Sequence, residues 1–171
     1  MEVVWLLGAD EIDTKNLGNA FVIYQGHHGD VGAHRADVIL PGAAYTEKSG
    51  IYVNTEGRSQ LGLQAAFPPG EAREDWKIIR ALSETVGESL PFDTLVQLRR
   101  KMFESAPILA HINHREKSAW SAFGAQGSVS AKPFASVIKN FYMTNPISRA
   151  SVTMAKCTEE ILPHTVQEAA E

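Results

Sequence analysis

Val3-Val4-Trp5-Leu6-Leu7, then Phe21-Val22-Ile23-Tyr24 after a gap of 13 residues, then Asp37-Val38-Ile39-Leu40: on these three runs the fold turns. Each is short and mostly apolar, with several β-branched residues, and the first and third are stopped by Gly8 and by Pro41-Gly42. Without polar–apolar alternation, they read as strands buried on both faces. The gap between the first two is near the minimum for a crossover between parallel strands, and it carries no tight hairpin signal such as Asn-Gly. Neighbouring parallel strands of an α/β sheet are therefore expected. Between the second and third runs, residues 26–32 contain Gly26, Gly29 and Gly32 and form a loop at the end of the sheet where such folds put their sites.

Downstream, residues 51–53 and 59–61 flank Asn54-Thr55-Glu56-Gly57-Arg58, whose glycine suits a short turn, so a hairpin is expected. Pro68-Pro69-Gly70 breaks the chain, and a helix is expected to open at Glu71 and run to Val86, burying Trp76 and Ile79 and ending at Gly87. A second helix is expected from Asp93 as cap, through Leu95, Leu98 and Met102. Periodicity fades over residues 107–139. It returns at Asn145, which is expected to cap one helix starting at Pro146 with Ile147, Ala150, Met154, Cys157 and Ile161 on a single stripe. Residues 164–171 read as a frayed acidic tail. The fold class expected is α/β, a partial doubly wound and mostly parallel sheet with flanking helices, over residues 1–106. An irregular region ending in an amphipathic helix fills residues 107–171.

Composition narrows the chemistry. A formal net charge of -4 offers no basic face for nucleic acid, and no apolar run approaches the ~20 residues of a membrane span. One cysteine, Cys157, permits neither an internal disulfide nor a cluster ligated by this chain's cysteines alone. On its apolar stripe it reads as a small packing residue. Among six histidines, His27, His28 and His34 form one group and His111 with His114 a second, each open to a metal reading or to a plain polar loop. Glu47, Glu56 and Arg58 read as pairing across the turn, with anion binding by Arg58 as the alternative. No nucleophile elbow, phosphate-binding Gly-Lys-Ser loop or dinucleotide fingerprint is present.

The stretch Ala36-Asp37-Val38-Ile39-Leu40-Pro41-Gly42-Ala43-Ala44-Tyr45-Thr46-Glu47-Lys48-Ser49-Gly50, with Tyr52-Val53-Asn54-Thr55-Glu56-Gly57-Arg58, resembles the molybdopterin oxidoreductase family. A narrower resemblance adds Tyr24-Gln25-Gly26-His27-His28-Gly29-Asp30, residues 73–84, Asn140-Phe141-Tyr142-Met143-Thr144 and Ile147-Ser148-Arg149-Ala150-Ser151. Those segments are similar to the large (75 kDa-type) iron–sulfur subunits of respiratory NADH:quinone oxidoreductase, complex I. The resemblance implies a C-terminal part that kept a molybdopterin-enzyme architecture without its cofactor. Iron–sulfur clusters are then expected in a preceding N-terminal part. It also implies other hydrophilic-arm subunits as partners, and a peripheral position on the matrix side of the mitochondrial inner membrane or the cytoplasmic face of a bacterial one. On this reading the chain, a fragment or split product of a longer subunit, holds no catalytic residue, cofactor-binding residue or metal ligand, and its role is structural. A true molybdopterin enzyme such as a formate dehydrogenase, or a stand-alone interaction module, are the alternatives.

Overall fold

The computed structural model describes residues 2–117 and 119–162. Three parallel strands, β1 (Val3–Leu7), β2 (Phe21–Gly26) and β3 (Val38–Pro41), form a sheet in the order β1-β2-β3. Register pairs Val4 with Val22, Leu6 with Tyr24, Trp5 with Ile23 and Ile23 with Val38. A 3-10 turn (Thr14–Leu17), capped by Asp13, makes the first crossover, and a one-turn helix, α1 (Val31–Arg35), makes the second. A separate antiparallel hairpin joins β4 (Gly50–Val53) to β5 (Ser59–Gly62). Helices α2 (Asp75–Thr85) and α3 (Leu95–Ser105) follow, and α4 (Pro146–Arg149) with α5 (Val152–Glu160) closes the described chain. This is the mixed α/β class expected from the three apolar runs.

The core is small. Leu6, Val22 and Tyr24 are buried on one face of the sheet, with Val4, Leu17, Ala33 and Ala36 packed around them. Alternation sends the neighbouring side chains to the opposite face, and that face is left largely open, as expected of apolar strands in a chain with too few helices to cover both sides. Val3, Trp5, Leu7, Phe21 and Val38 are 37–56% exposed. The reason is geometric: the crossovers pack on one side only, and on the other the start of α2 reaches no farther than Gln25, which bonds Asp75.

Three helix boundaries also move. Helix α2 starts at Asp75 rather than Glu71, because Arg73 is drawn into a bridge with Gly42: Arg73 N donates to Pro41 O at 3.0 Å and Ala43 N to Arg73 O at 2.8 Å. Trp76 and Ile79 are half-buried, not buried, and Ser83 is the buried residue of that helix. Helix α3 is capped by Thr94, one residue after Asp93, because Gln97 stands three residues on and completes a reciprocal capping box. The single helix expected from Pro146 breaks after Arg149, where Ser151 takes up a new cap by accepting from Met154 N. Asn145 caps the first piece as expected, accepting from Ser148 N at 2.9 Å. Beyond a 3-10 turn at Pro107–Ala110, the described residues from Asn113 to Lys139 are all exposed and without regular structure. The acidic tail expected at residues 164–171 lies outside the described residues.

Candidate functional site

Parallel sheets present their working edge at the carboxyl ends of the strands, which here means the turns after β1, β2 and β3. Asp10 follows β1 by three residues and is 6% exposed. Its Oδ2 accepts from the Tyr24 hydroxyl at 2.7 Å and its Oδ1 from Gly32 N at 2.9 Å, so one carboxylate ties the turn after β1 to the strand and loop of β2. Burial, then the hydrogen bond to Asp10, holds the Tyr24 hydroxyl well above the ordinary tyrosine range. The glycines permit this closeness. A Cβ on Gly26 would lie 2.5 Å from Tyr24 Oη, and one on Gly32 would lie 2.7 Å from Ala9 O.

Two further clusters flank this knot. Gln25 is fully buried; its Nε2 donates to Asp75 Oδ1 at 3.0 Å, and Asp75 in turn pairs with Lys48. Gln25 Oε1 has no partner. On the other side, Asp30 in the glycine loop pairs with Arg149 at the end of α4, whose Nη1 also donates to Met143 O at 3.3 Å and lies 3.9 Å from Glu11 Oε1. Carboxylates therefore line the edge, Asp10, Asp30 and Asp75, each with its donors already engaged, and Glu47 accepts from Ala44 N at 2.9 Å.

The histidine groups do not assemble. His27 and His28 meet edge to face with Nδ1 atoms 2.8 Å apart, beside a cavity of about 500 Å³ that also touches Glu47 and Glu71. Burial, His28 and Lys48 hold His27 below the usual histidine value. His34 is exposed on α1. His111 stacks edge to face on His114 at 6.3 Å and bonds Glu116 Oε1 at 2.6 Å. Among the described residues, no group of three or more His, Cys, Asp or Glu side chains is arranged to hold a metal. Arg58 is taken up structurally, pairing with Glu56 at 3.2 Å and donating to Asn113 O at 3.0 Å, whereas Glu47 stays in its own turn. Cys157 is a half-buried free thiol on α5.

Sequence reasoning passed over Asp10, Gln25, Asp75 and Arg149. Asp10 carried a usable signal, as an acid just past a glycine that stops a buried strand. Arg149 carried none, since 119 residues separate it from Asp30.

The family described as molybdopterin oxidoreductase matches residues 1–85, and the family described as the C-terminal region of the G-type subunit of NADH-ubiquinone oxidoreductase matches residues 110–157. The chain is 49% identical over 164 residues to the NADH-ubiquinone oxidoreductase 78 kDa subunit, mitochondrial, of Neurospora crassa, a match covering 91% of this chain and 22% of that protein. It is 48% identical over 159 residues to the NADH dehydrogenase [ubiquinone] iron-sulfur protein 1, mitochondrial, of Solanum tuberosum, at 91% and 22% coverage. Against the 78 kDa subunit of Candida albicans, identity is 52% over 165 residues, at 90% and 23%. The chain thus spans 22–23% of the length of these relatives.

Proposed function

The chain belongs to the family of large iron–sulfur subunits of NADH:ubiquinone oxidoreductase, matching their C-terminal region, and on that premise we propose that it is a structural region without a redox centre, shaping and covering the hydrophilic arm of the complex. The reaction of the whole enzyme would be NADH oxidation by quinone coupled to proton translocation, with the clusters held in the N-terminal part of the subunit. A peripheral station on the matrix side of the mitochondrial inner membrane, or the cytoplasmic face of a bacterial one, goes with that role. Among the described residues, no helix is long and apolar enough to cross a membrane. The division of the chain after residue 106 belongs to the same proposal.

The observation that carries the structural reading is the open sheet face of Val3, Trp5, Leu7, Phe21 and Val38. Five large apolar side chains left on one face cost about 25 cal/mol for every Å² kept in water, and contiguous apolar faces of this kind mark contact surfaces. The opposite reading, a pterin-carrying enzyme, is disfavoured by the chemistry of the edge. A phosphate-bearing cofactor needs backbone or cationic donors. Here the carboxylates of Asp10, Asp30 and Asp75 occupy the edge, and the cations beside them, Lys48 and Arg149, are already paired with Asp75 and Asp30. The residues present do not fit such a group.

A test follows from the open face. Trp5→Asp with Phe21→Asp in the full-length subunit is expected to lower the amount of assembled complex on native gels several-fold. The cluster signals per assembled complex should be unchanged by electron paramagnetic resonance. Normal assembly would overturn the structural role, and altered cluster signals in a fully assembled complex would overturn the absence of redox chemistry here.

A further inference from the structure

Residues 140–160 form a unit of their own: Asn140 Nδ2 donates to Thr158 Oγ1 at 3.1 Å, Thr158 Oγ1 donates to Met154 O at 3.0 Å, and Arg149 Nη1 reaches back to Met143 O at 3.3 Å. This unit sits over the carboxyl edge of the sheet. Pro146 closes a small cavity against Gly8, Asp10 and Ile12, while Asn145 and Ile147 face His27 and Tyr45. Among the described residues, every hydrogen bond and ion pair that joins residues 140–160 to the α/β part runs through one side chain, Arg149, to Asp30 and to Glu11.

We propose that the Arg149–Asp30 ion pair is a latch, by which the chain's own C-terminal unit occupies and closes the carboxyl edge of its parallel sheet. Both charges are largely sheltered, at 25% and 22% side-chain exposure, while Glu11 at 73% adds only a screened contact. Asp30 precedes α1 but makes no side-chain cap bond to it, so its carboxylate is committed to Arg149. Arg149 Nη2 is shut off from solvent without a partner, a state that persists only while the rest of the guanidinium is held in place. The latch joins Tyr24-Gln25-Gly26-His27-His28-Gly29-Asp30 to Ile147-Ser148-Arg149-Ala150-Ser151, and thereby connects the two segments matched by separate families. It requires nothing of the assembled complex, so it stands or falls apart from the proposed structural role.

Hydrogen exchange and thiol reactivity on the full chain test it. Arg149→Ala and Asp30→Asn are each expected to speed amide exchange at least about tenfold, in residues 26–36 and 141–160 together, as expected when one member of a sheltered ion pair is lost. Cys157 should react faster with an aromatic disulfide reagent. Exchange in the β4–β5 hairpin and in α3 should stay as it was. The charge swap Asp30→Arg with Arg149→Asp should restore slow exchange in both segments. Unchanged exchange in residues 26–36 in the single variants overturns the latch, and so does a swap as labile as either single variant, including the case in which those variants fail to fold.

Discussion

Tyr24→Ala is expected to remove the cooperative unfolding transition of the sheet altogether. Tyr24 is 2% exposed and shares the core with Leu6 and Val22. Deleting a buried aromatic side chain costs ~3–5 kcal/mol. The same change strips Asp10, 6% exposed, of its hydroxyl donor, and a buried acceptor left unpaired costs a further ~1–3 kcal/mol. Against a total domain stability of ~5–15 kcal/mol, that sum is decisive. Tyr24→Phe keeps the ring and loses the bond alone, and should cost only ~1–3 kcal/mol. Urea titration followed by circular dichroism separates them: a sloping signal for the alanine variant, a shifted transition for the phenylalanine variant. Equal stability of the two would show that the ring is not the keystone of this core. A pH signature accompanies the hydroxyl. Its ionisation is pushed upward in the fold by burial and by Asp10, whereas the unfolded chain releases the proton near pH 10. The unfolded state therefore loses protons first, and this contribution is intact below about pH 10 and falls as pH rises above it. Tyr24→Phe should abolish that alkaline slope.

Asp75→Ala is the second large effect. Asp75 Oδ1 is the acceptor for a fully buried glutamine amide, and its other oxygen pairs with Lys48, which is 23% exposed. Gln25 Oε1 already lacks a partner, so removing the carboxylate leaves the amide with only the longer 3.4 Å bond to Asp75 O. It also leaves a sheltered ammonium unpaired. Loss of one partner from such an arrangement costs ~2–4 kcal/mol. Replacing both ends with apolar groups is far milder than orphaning one. The double variant Gln25→Leu with Asp75→Ala should accordingly be more stable than the sum of the single variants by roughly 1 kcal/mol or more. Additive losses across that cycle, measured in urea, would show that the two side chains do not act as a pair.

The parts of the fold written locally were legible in the sequence. Residues 3–7 and 21–24 announced two strands through apolar runs, the missing hairpin signal announced their parallel pairing, and Gly57 announced the turn of the hairpin. Helix starts were less legible where two signals competed. Asp93 and Thr94 both suit a cap, and Gln97 decides for Thr94, leaving Asp93 to pair with Arg80 at 2.8 Å. At Arg73, bridging to the sheet overrode a helical pattern that looked continuous from Glu71. The open face of Val3, Trp5 and Phe21 was legible too: three apolar strands call for cover on both sides, and the chain carries too few helices to supply it. The edge was hardest to read. Asp10, Tyr24 and Gly32 look like a turn acid, a core aromatic and a loop glycine until the fold brings them within 3 Å, and nothing near Asp30 points to a partner so far along the chain.

If this region works as covered structure within a larger assembly, the open face of its sheet must be closed there. Hydroxyl-radical footprinting of Trp5 and Phe21, in the isolated chain and in the purified respiratory complex, measures that closure residue by residue. Both rings are partly open here, at 37% and 47%. In the complex they should be protected roughly tenfold or more, as fully desolvated contact residues are. Equal labelling of Trp5 and Phe21 in the two samples would contradict a covering role for this face.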